Sequence, residues 1–360
     1  MIISRTPYRI SFFGGGTDYP TWYQKHGGAV LATTIDKYCY ISCRYLPPFF
    51  EHRHRIVYSQ IENCHNIDDI KHPSVREVLR FLDFERGVEI HHDGDLPARS
   101  GMGSSSAFTV GLLNALYAMR GYMPTKQQLM QESIMIEQEM IMETVGSQDQ
   151  ALAAYGGFNH IQFLPNREIS VRPVVITYER MQMLNRHLML FYTGIKRTAA
   201  DIAESYVNDI EARKRQLRIM KDLVDEGISL LNSGGDLTSF GELLHESWQA
   251  KRSLSDRVTS PEVDQMYEAA RTAGAIGGKV TGAGGGGFML LFVPPERQQA
   301  VREKLSGQIH VPFSFEFNGS QIIYLQHEED FSSVESTRTA QSIKPFFELA
   351  ETILDEELAS

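Results

Sequence analysis

An α+β protein of two domains is the fold class that the chain predicts, and three observations lead there. Its 360 residues exceed what one small core usually serves. Strand-like patterns dominate up to about residue 180 and helical ones after it. Neither an internal repeat nor a low-complexity linker interrupts the chain, so the boundary between the two expected units, 1–180 and 181–330, is a soft one near residue 180, with a tail or surface helix at 331–360.

The first half reads as strands at 2–13, 29–35, 38–45 and 55–60, then a short helix from Pro73 and a strand at 87–92. A loop rich in glycine and serine, 95–106, feeds an apolar helix to about Met119. A second helix starts near Thr125, behind Pro124, and ends before Gly146. Strands resume at 158–164 and 169–176. The second half opens with a strand at 187–192. Ile202, Tyr206, Ile210, Leu217, Met220, Val224, Ile228 and Leu231 then recur at helical spacing, up to Gly234-Gly235. A helix over 237–253 follows, and Ser260-Pro261 opens another, serine as N-cap and proline in the first turn. A strand before Thr281, a five-glycine loop, a strand at 288–293, a helix and two final strands complete the half.

Charge and composition narrow the function. Lys plus Arg number 35 against 45 Asp plus Glu, a net charge of −10. A duplex nucleic-acid binder carries a basic excess, so that class is excluded. The apolar runs are too short to cross a bilayer, and Arg5 and Arg9 break any signal-peptide core. Three cysteines cannot form a disulfide framework, and a reducing cytoplasm is expected. Cys39 and Cys43 are four strand steps apart, about 13 Å, too far to share a metal ion, and read as buried thiols.

Three glycine loops carry the chemical signal. In Pro97-Ala98-Arg99-Ser100-Gly101-Met102-Gly103-Ser104-Ser105-Ser106-Ala107, the glycines let backbone approach an anion, and the following helix offers free N–H groups. The serines add donors, one of them a Mg²⁺ ligand in prospect. Neither a Walker A loop nor a dinucleotide fingerprint fits, and a plain helix cap is the alternative. Thr281-Gly282-Ala283-Gly284-Gly285-Gly286-Gly287 loses too much entropy on folding for a mere hairpin. Close packing against a ligand or another loop explains it better. Gly14-Gly15-Gly16-Thr17-Asp18-Tyr19 ends in a carboxylate and a phenol suited to sugar hydroxyls.

With these three loops in this order, the chain resembles the GHMP kinase superfamily. The first motif is Pro7-Tyr8-Arg9 through Asp18, the second Pro97 through Ala107, the third Lys279 through Gly287. Within the superfamily, 5–19, Gly27-Gly28-Ala29-Val30, Ile35-Asp36-Lys37-Tyr38 and Gln148-Asp149-Gln150 look most like the D-glycero-D-manno-heptose 7-phosphate kinases. Where galactokinase-like proteins carry Gly-Glu-His-Thr-Asp, this chain has Gly14-Gly15-Gly16-Thr17-Asp18, which argues against galactose. The resemblance implies a two-domain fold with a nucleotide cleft between the halves, and ATP and Mg²⁺ as cofactors.

It also implies roles. Asp149 matches the catalytic aspartate, which takes the proton of the acceptor hydroxyl or holds that hydroxyl in place. Arg9 is expected beside it. Pro97, Arg99, Ser100, Gly101, Gly103, Ser104, Ser105 and Ser106 would hold ATP, with Ser105 also a Mg²⁺ ligand. Glu137 is the second ligand expected, since it interrupts the apolar stripe Met130, Ile134, Ile141 with an inward acid that wants a cation. Gly16, Thr17, Asp18, Tyr19, Gly284 and Gly285 would face the acceptor. Arg197 is preferred for the acceptor's own phosphate, over Lys196, Arg5, Lys37, Arg44, Arg53 and Arg55. The expected activity is phosphorylation of the anomeric hydroxyl of the heptose 7-phosphate. Another sugar kinase of the superfamily, for fucose, a uronic acid or a hexose, or a silent sugar or nucleotide sensor, are the alternatives.

Overall fold

The computed structural model describes residues 1–47, 49–195, 199–207 and 210–327. Its first sheet is built around one long strand. β1 (Ile2–Phe13) leads through α1 (Pro20–His26) into β2 (Gly28–Tyr45), and the two pair antiparallel along their length. The pairing jumps from Pro7 opposite Tyr38 to Tyr8 opposite Ile35, which leaves Asp36 and Lys37 as a bulge. Those two polar residues are why the sequence reads as two strands where there is one.

β3 (His54–Val57) and β4 (Ile61–Cys64) form a hairpin, followed by α2 (Pro73–Phe81) and β5 (Val88–Gly94). β5 lies on the second half of β2. α3 (Ser104–Met119) packs on β1 and β2, and a Cβ at Gly111 would meet Thr6 Oγ1 at 2.8 Å, so glycine sets how closely helix and sheet approach. α4 (Lys126–Met135) is capped by Thr125, whose side chain accepts from Gln128 N at 3.1 Å. It does not continue to residue 145. A π-helical turn at Ile136–Met140 and Met142 at φ 62° end it, and a separate α5 (Gln148–Tyr155) starts after Ser147. β6 (Phe158–Phe163) pairs with the first half of β2, and β7 (Ile169–Pro173) with β6.

The second sheet belongs to the other half. α6 (Tyr178–His187) precedes β8 (Leu188–Tyr192), and α7 (Ala199–Val207) and α8 (Lys214–Asn232) share the long helical pattern of the sequence. The buried Arg180 of α6 donates to Leu230 O at 2.9 Å and Leu231 O at 3.3 Å, satisfying carbonyls at the end of α8. α9 (Thr238–Arg252) and α10 (Pro261–Thr272) follow, the latter capped by Ser260, which accepts from Val263 N at 3.4 Å. β9 (Gly277–Val280), β10 (Phe288–Phe292), α11 (Gln298–Lys304) and β11 (Ile309–His310) complete a four-stranded antiparallel sheet in the order β11-β8-β10-β9.

The chain then crosses back. β12 (Phe315–Glu316) pairs with β2, and β13 (Gln321–Leu325) pairs with β1, Ile2 opposite Leu325. Two strands from beyond residue 180 thus belong to the first sheet, satisfying a strand edge that nothing nearby in sequence could reach. Phe240 of α9 welds the halves, its ring 5.6 Å from Phe12, 5.1 Å from Phe13 and 6.3 Å from Phe292. Cys39, Cys43 and Cys64 are buried and reduced. No described helix is long and apolar enough to cross a membrane.

Candidate active site

The loop rich in glycine and serine ends in a bare helix start. Gly103 occupies the N-cap position of α3 at φ 74°, and no side chain caps the helix, so its first N–H groups and positive dipole end are offered outward. The five-glycine loop buttresses it from behind: a Cβ on Gly282 would lie 2.5 Å from Gly101 Cα, so the two backbones touch where any side chain would part them. The other loop is therefore the immediate partner of these glycines.

Together they wall a cleft of about 240 Å³ between the two halves. Among the residues expected at the site, Arg9, Gly16, Asp18, Tyr19, Arg99, Gly101, Gly103, Ser104, Ser105, Ser106 and Asp149 line it. Asp149, in the first turn of α5, is 24% exposed at its side chain, whereas Arg9 is only 6% exposed. Arg9 Nε and Nη2 donate to the two carboxylate oxygens of Asp149 at 2.6 and 2.7 Å, and Nη1 donates to Gly101 O at 2.6 Å. This is a bidentate fork, and with the bond to Gly101 it fixes Asp149 against the glycine–serine loop. Asp18 is buried beside it, accepting from Gly16 N and Gln148 Nε2, each at 2.9 Å. Burial, and after it the charge of Asp149, push the Asp18 carboxyl upward.

Glu137 lies beneath the loop, fully buried in the π-helical turn. Its Oε2 accepts from Ser106 Oγ at 2.8 Å and Gln150 Nε2 at 2.6 Å. Oε1 has no hydrogen-bond partner among the described residues, and the neighbouring Thr109 hydroxyl donates to Ser105 O at 3.2 Å. Burial raises the carboxyl from 4.5 to about 7, against the lowering effect of the surrounding hydroxyl and amide bonds. The folded state then binds more protons than the unfolded one between these values, so this group's contribution falls as pH rises through the window. The full effect is on the order of 3 kcal/mol. Glu137→Gln keeps an acceptor oxygen and cannot ionise. In the absence of divalent cation and nucleotide, its melting temperature relative to wild type should climb as pH goes from about 4.5 to 7. A difference that stays flat with pH would show that Glu137 is not a buried acid.

The unpaired carboxylate oxygen of Glu137 and the serine hydroxyls beside it are hard donors that suit an ion such as Mg²⁺. Ser105 is exposed on the cleft one residue from Ser106. No group of three or more His, Cys, Asp or Glu is placed to hold a metal among the described residues, so waters and phosphate oxygens would complete a Mg²⁺ shell begun by Glu137 and Ser105.

Other expected residues fall elsewhere. Thr17 is buried, its hydroxyl tied to Gly14 O at 2.8 Å and Ala29 O at 2.9 Å, where it braces the loop without facing the cleft. Gly284 and Gly285 pack on Val258, whose carbonyl takes the Gly285 N–H at 2.6 Å; Gly282 and Ala283 line the cleft in their place. Pro97 and Ser100 do not line it, Ser100 being buried. Arg197 and Lys196 lie outside the described residues. Arg44 and Arg55 pair with Glu89, Lys37 with Asp36, and Arg5 donates to Gln321, and none of these, nor Arg53, lines the cleft.

The cleft also holds Ser11, Glu143 and Lys251, which the sequence did not bring forward, and Gln148 and Lys279, which it placed in motifs without a role. For Lys251 a signal existed. It continues the inward stripe of Phe240, Leu244, Ser247 and Trp248 on α9, an apolar face interrupted by a charge, as at Glu137.

Comparison with known proteins agrees with this geometry. Residues 73–157 match the GHMP kinases N terminal domain, and residues 219–310 match GHMP kinases C terminal. Over 310 residues the chain is 30% identical to D-glycero-alpha-D-manno-heptose 7-phosphate kinase of Campylobacter jejuni, spanning 82% of this chain and 91% of that protein. It is 27% identical over 242 residues to mevalonate kinase of Pyrococcus horikoshii, spanning 66% and 69%. The solved structure of a D-glycero-D-manno-heptose 1-phosphate kinase from Bacteriodes thetaiotaomicron has the same fold, with TM-score 0.74 and 24% identity over 91% of this chain and 100% of that one. With both family domains in order around a cleft of glycine loops, and with a relative matched over nearly its whole length, the chain belongs to the GHMP kinases and is an ATP-dependent phosphotransferase acting on sugars.

Proposed function

We propose that the acceptor is D-glycero-D-manno-heptose 7-phosphate and that the product is the 1,7-bisphosphate, an intermediate toward nucleotide-activated heptose. The similarity to the Campylobacter jejuni enzyme carries this reading. The uncapped start of α3 and Ser104, Ser105 and Ser106 bind the ATP phosphates. Gly16, Asp18 and Tyr19 meet the sugar hydroxyls. Asp149, aimed by Arg9, orients the anomeric hydroxyl and takes its proton as the oxygen bonds to the γ-phosphorus and the bond to ADP breaks. An anomeric hydroxyl is more acidic than an ordinary alcohol, so modest base strength suffices. Glu137 and Ser105 would hold Mg²⁺, which supplies charge neutralisation of the phosphates when bound.

The acceptor's phosphate falls to Arg197 in this proposal. A charge-assisted contact contributes about 1.5–3 kcal/mol, so the 7-phosphate should be preferred over the unphosphorylated heptose by roughly 10- to 150-fold in kcat/KM. Arg197→Ala should shrink that preference and spare the unphosphorylated sugar. A panel of sugars and sugar phosphates, scored by ADP release, tests this. The name of the Bacteriodes thetaiotaomicron neighbour favours one rival, a kinase acting on the heptose 1-phosphate. Equal turnover of phosphorylated and free heptose, or better turnover of the 1-phosphate, fucose or galactose, would overturn the 7-phosphate reading and leave the kinase chemistry standing.

A further inference from the structure

We propose that Lys251 and Lys279 together seat the phosphoryl group in flight between ATP and the acceptor. Both line the cleft, and they come from different elements, α9 and β9. Lys251 Nζ donates to Val280 O at 3.2 Å and to Gly282 O, on the loop that touches Gly101 of the nucleotide loop. Lys279 Nζ donates to Phe12 O at 2.9 Å, just ahead of the glycines that open the acceptor loop. One ammonium therefore stands on the nucleotide side of the cleft and the other on the acceptor side. Each has three N–H donors, and these bonds leave one free on Lys251 and two on Lys279.

The charge balance of the cleft calls for an anion at this point. Arg9, from β1, is committed to its fork with Asp149 of α5. Asp18, from the acceptor loop, is the carboxylate that acts on both lysines, and its own oxygens already accept from Gly16 and Gln148. The lysines are only 4% and 2% exposed, and neither forms an ion pair with a carboxylate among the described residues. Burial brings Lys279 down to about 7 and Lys251 well below its ordinary value, with the neighbouring cations adding to both effects. Buried cations without a countercharge are costly, and the anionic oxygens of a phosphoryl group supply it. Ser11 adds an independent pointer: its hydroxyl lines the same cleft, is buried and has no partner. Donors fixed in advance where charge passes stabilise the transfer more than they stabilise bound nucleotide.

The proposal rests on the phosphotransferase activity and not on the identity of the acceptor, so any sugar that the wild type turns over serves for the test. Lys279→Met and Lys251→Met in the full chain should each lower kcat by about 10²–10³-fold. Affinity for ADP, which lacks the transferred group, should change less than about 3-fold by titration calorimetry. A crystal of the wild type with Mg²⁺, ADP and beryllium trifluoride, a mimic of the γ-phosphoryl group, needs no variant. Its fluorines should lie within about 3.2 Å of both ammonium nitrogens. A fluoride group out of reach of both, or folded variants with kcat within about 3-fold of wild type, overturns the proposal. So does a loss confined to phosphorylated acceptors with free sugars turned over normally, since the pair would then bind the acceptor's own phosphate.

Discussion

Asp149→Asn is expected to lower kcat by about 10²–10⁴-fold, because the amide cannot accept the proton that the attacking hydroxyl gives up. The fork with Arg9 adds a structural consequence. Asparagine offers one oxygen where the carboxylate offered two, and Arg9, at 6% side-chain exposure, is left with an uncompensated charge. Removing one partner of a buried pair costs about 3–5 kcal/mol, and the retained oxygen and the bond to Gly101 O soften that loss. The variant should therefore fold with a lowered melting temperature and still bind ADP, while single-turnover phosphoryl transfer nearly stops. Rates within a few-fold of wild type would remove Asp149 from the chemistry, whatever the melting temperature does.

Gly103→Val is expected to raise the ATP KM by at least about 10-fold and to lower kcat with it. Two effects coincide at this residue. Its φ of 74° lies in the left-handed region, which a β-branched side chain enters only at a cost of roughly 1–2 kcal/mol. The new Cβ would stand 3.1 Å from Arg9 Cγ and 3.5 Å from Asp149 Oδ2, so the bulk of valine presses on the Arg9–Asp149 pair as well as on the open start of α3. Gly103→Ala keeps the backbone strain and the Cβ contact but lacks the two methyl groups of valine, and should do less harm. ATP titrations under saturating acceptor measure both constants. Unchanged values for the valine variant would reduce the loop to a plain helix cap.

Much of the site was legible because its signals are local. A serine before a proline marks a helix start wherever it occurs, and Ser260 caps α10. Glycines crowded between two apolar strands lose so much entropy that a close backbone approach is the economical explanation, and Gly282 against Gly101 is that approach. The acid at Glu137 interrupts an apolar stripe, and it is buried. Short elements were less legible. α1, α5 and α6 have 7, 8 and 10 residues, too few turns for a helical period to stand out.

A resemblance to known kinases supplied the family and its ATP, whereas the sequence by itself determined the α+β class and the three glycine loops. These follow from patterns within a few residues, which the backbone obeys wherever the segment lies. Tertiary structure alone decided that β13 closes the edge of β1, that Lys251 and Lys279 face one cleft, and that Arg9, expected beside Asp149 from the resemblance, holds it in a two-bond fork across 140 positions. Such contacts depend on strand register, the bulge at Asp36-Lys37 and the crossing of the chain between sheets. They are properties of the packed whole: a side chain's partner is set by which distant backbone lies opposite it, and no local pattern records that.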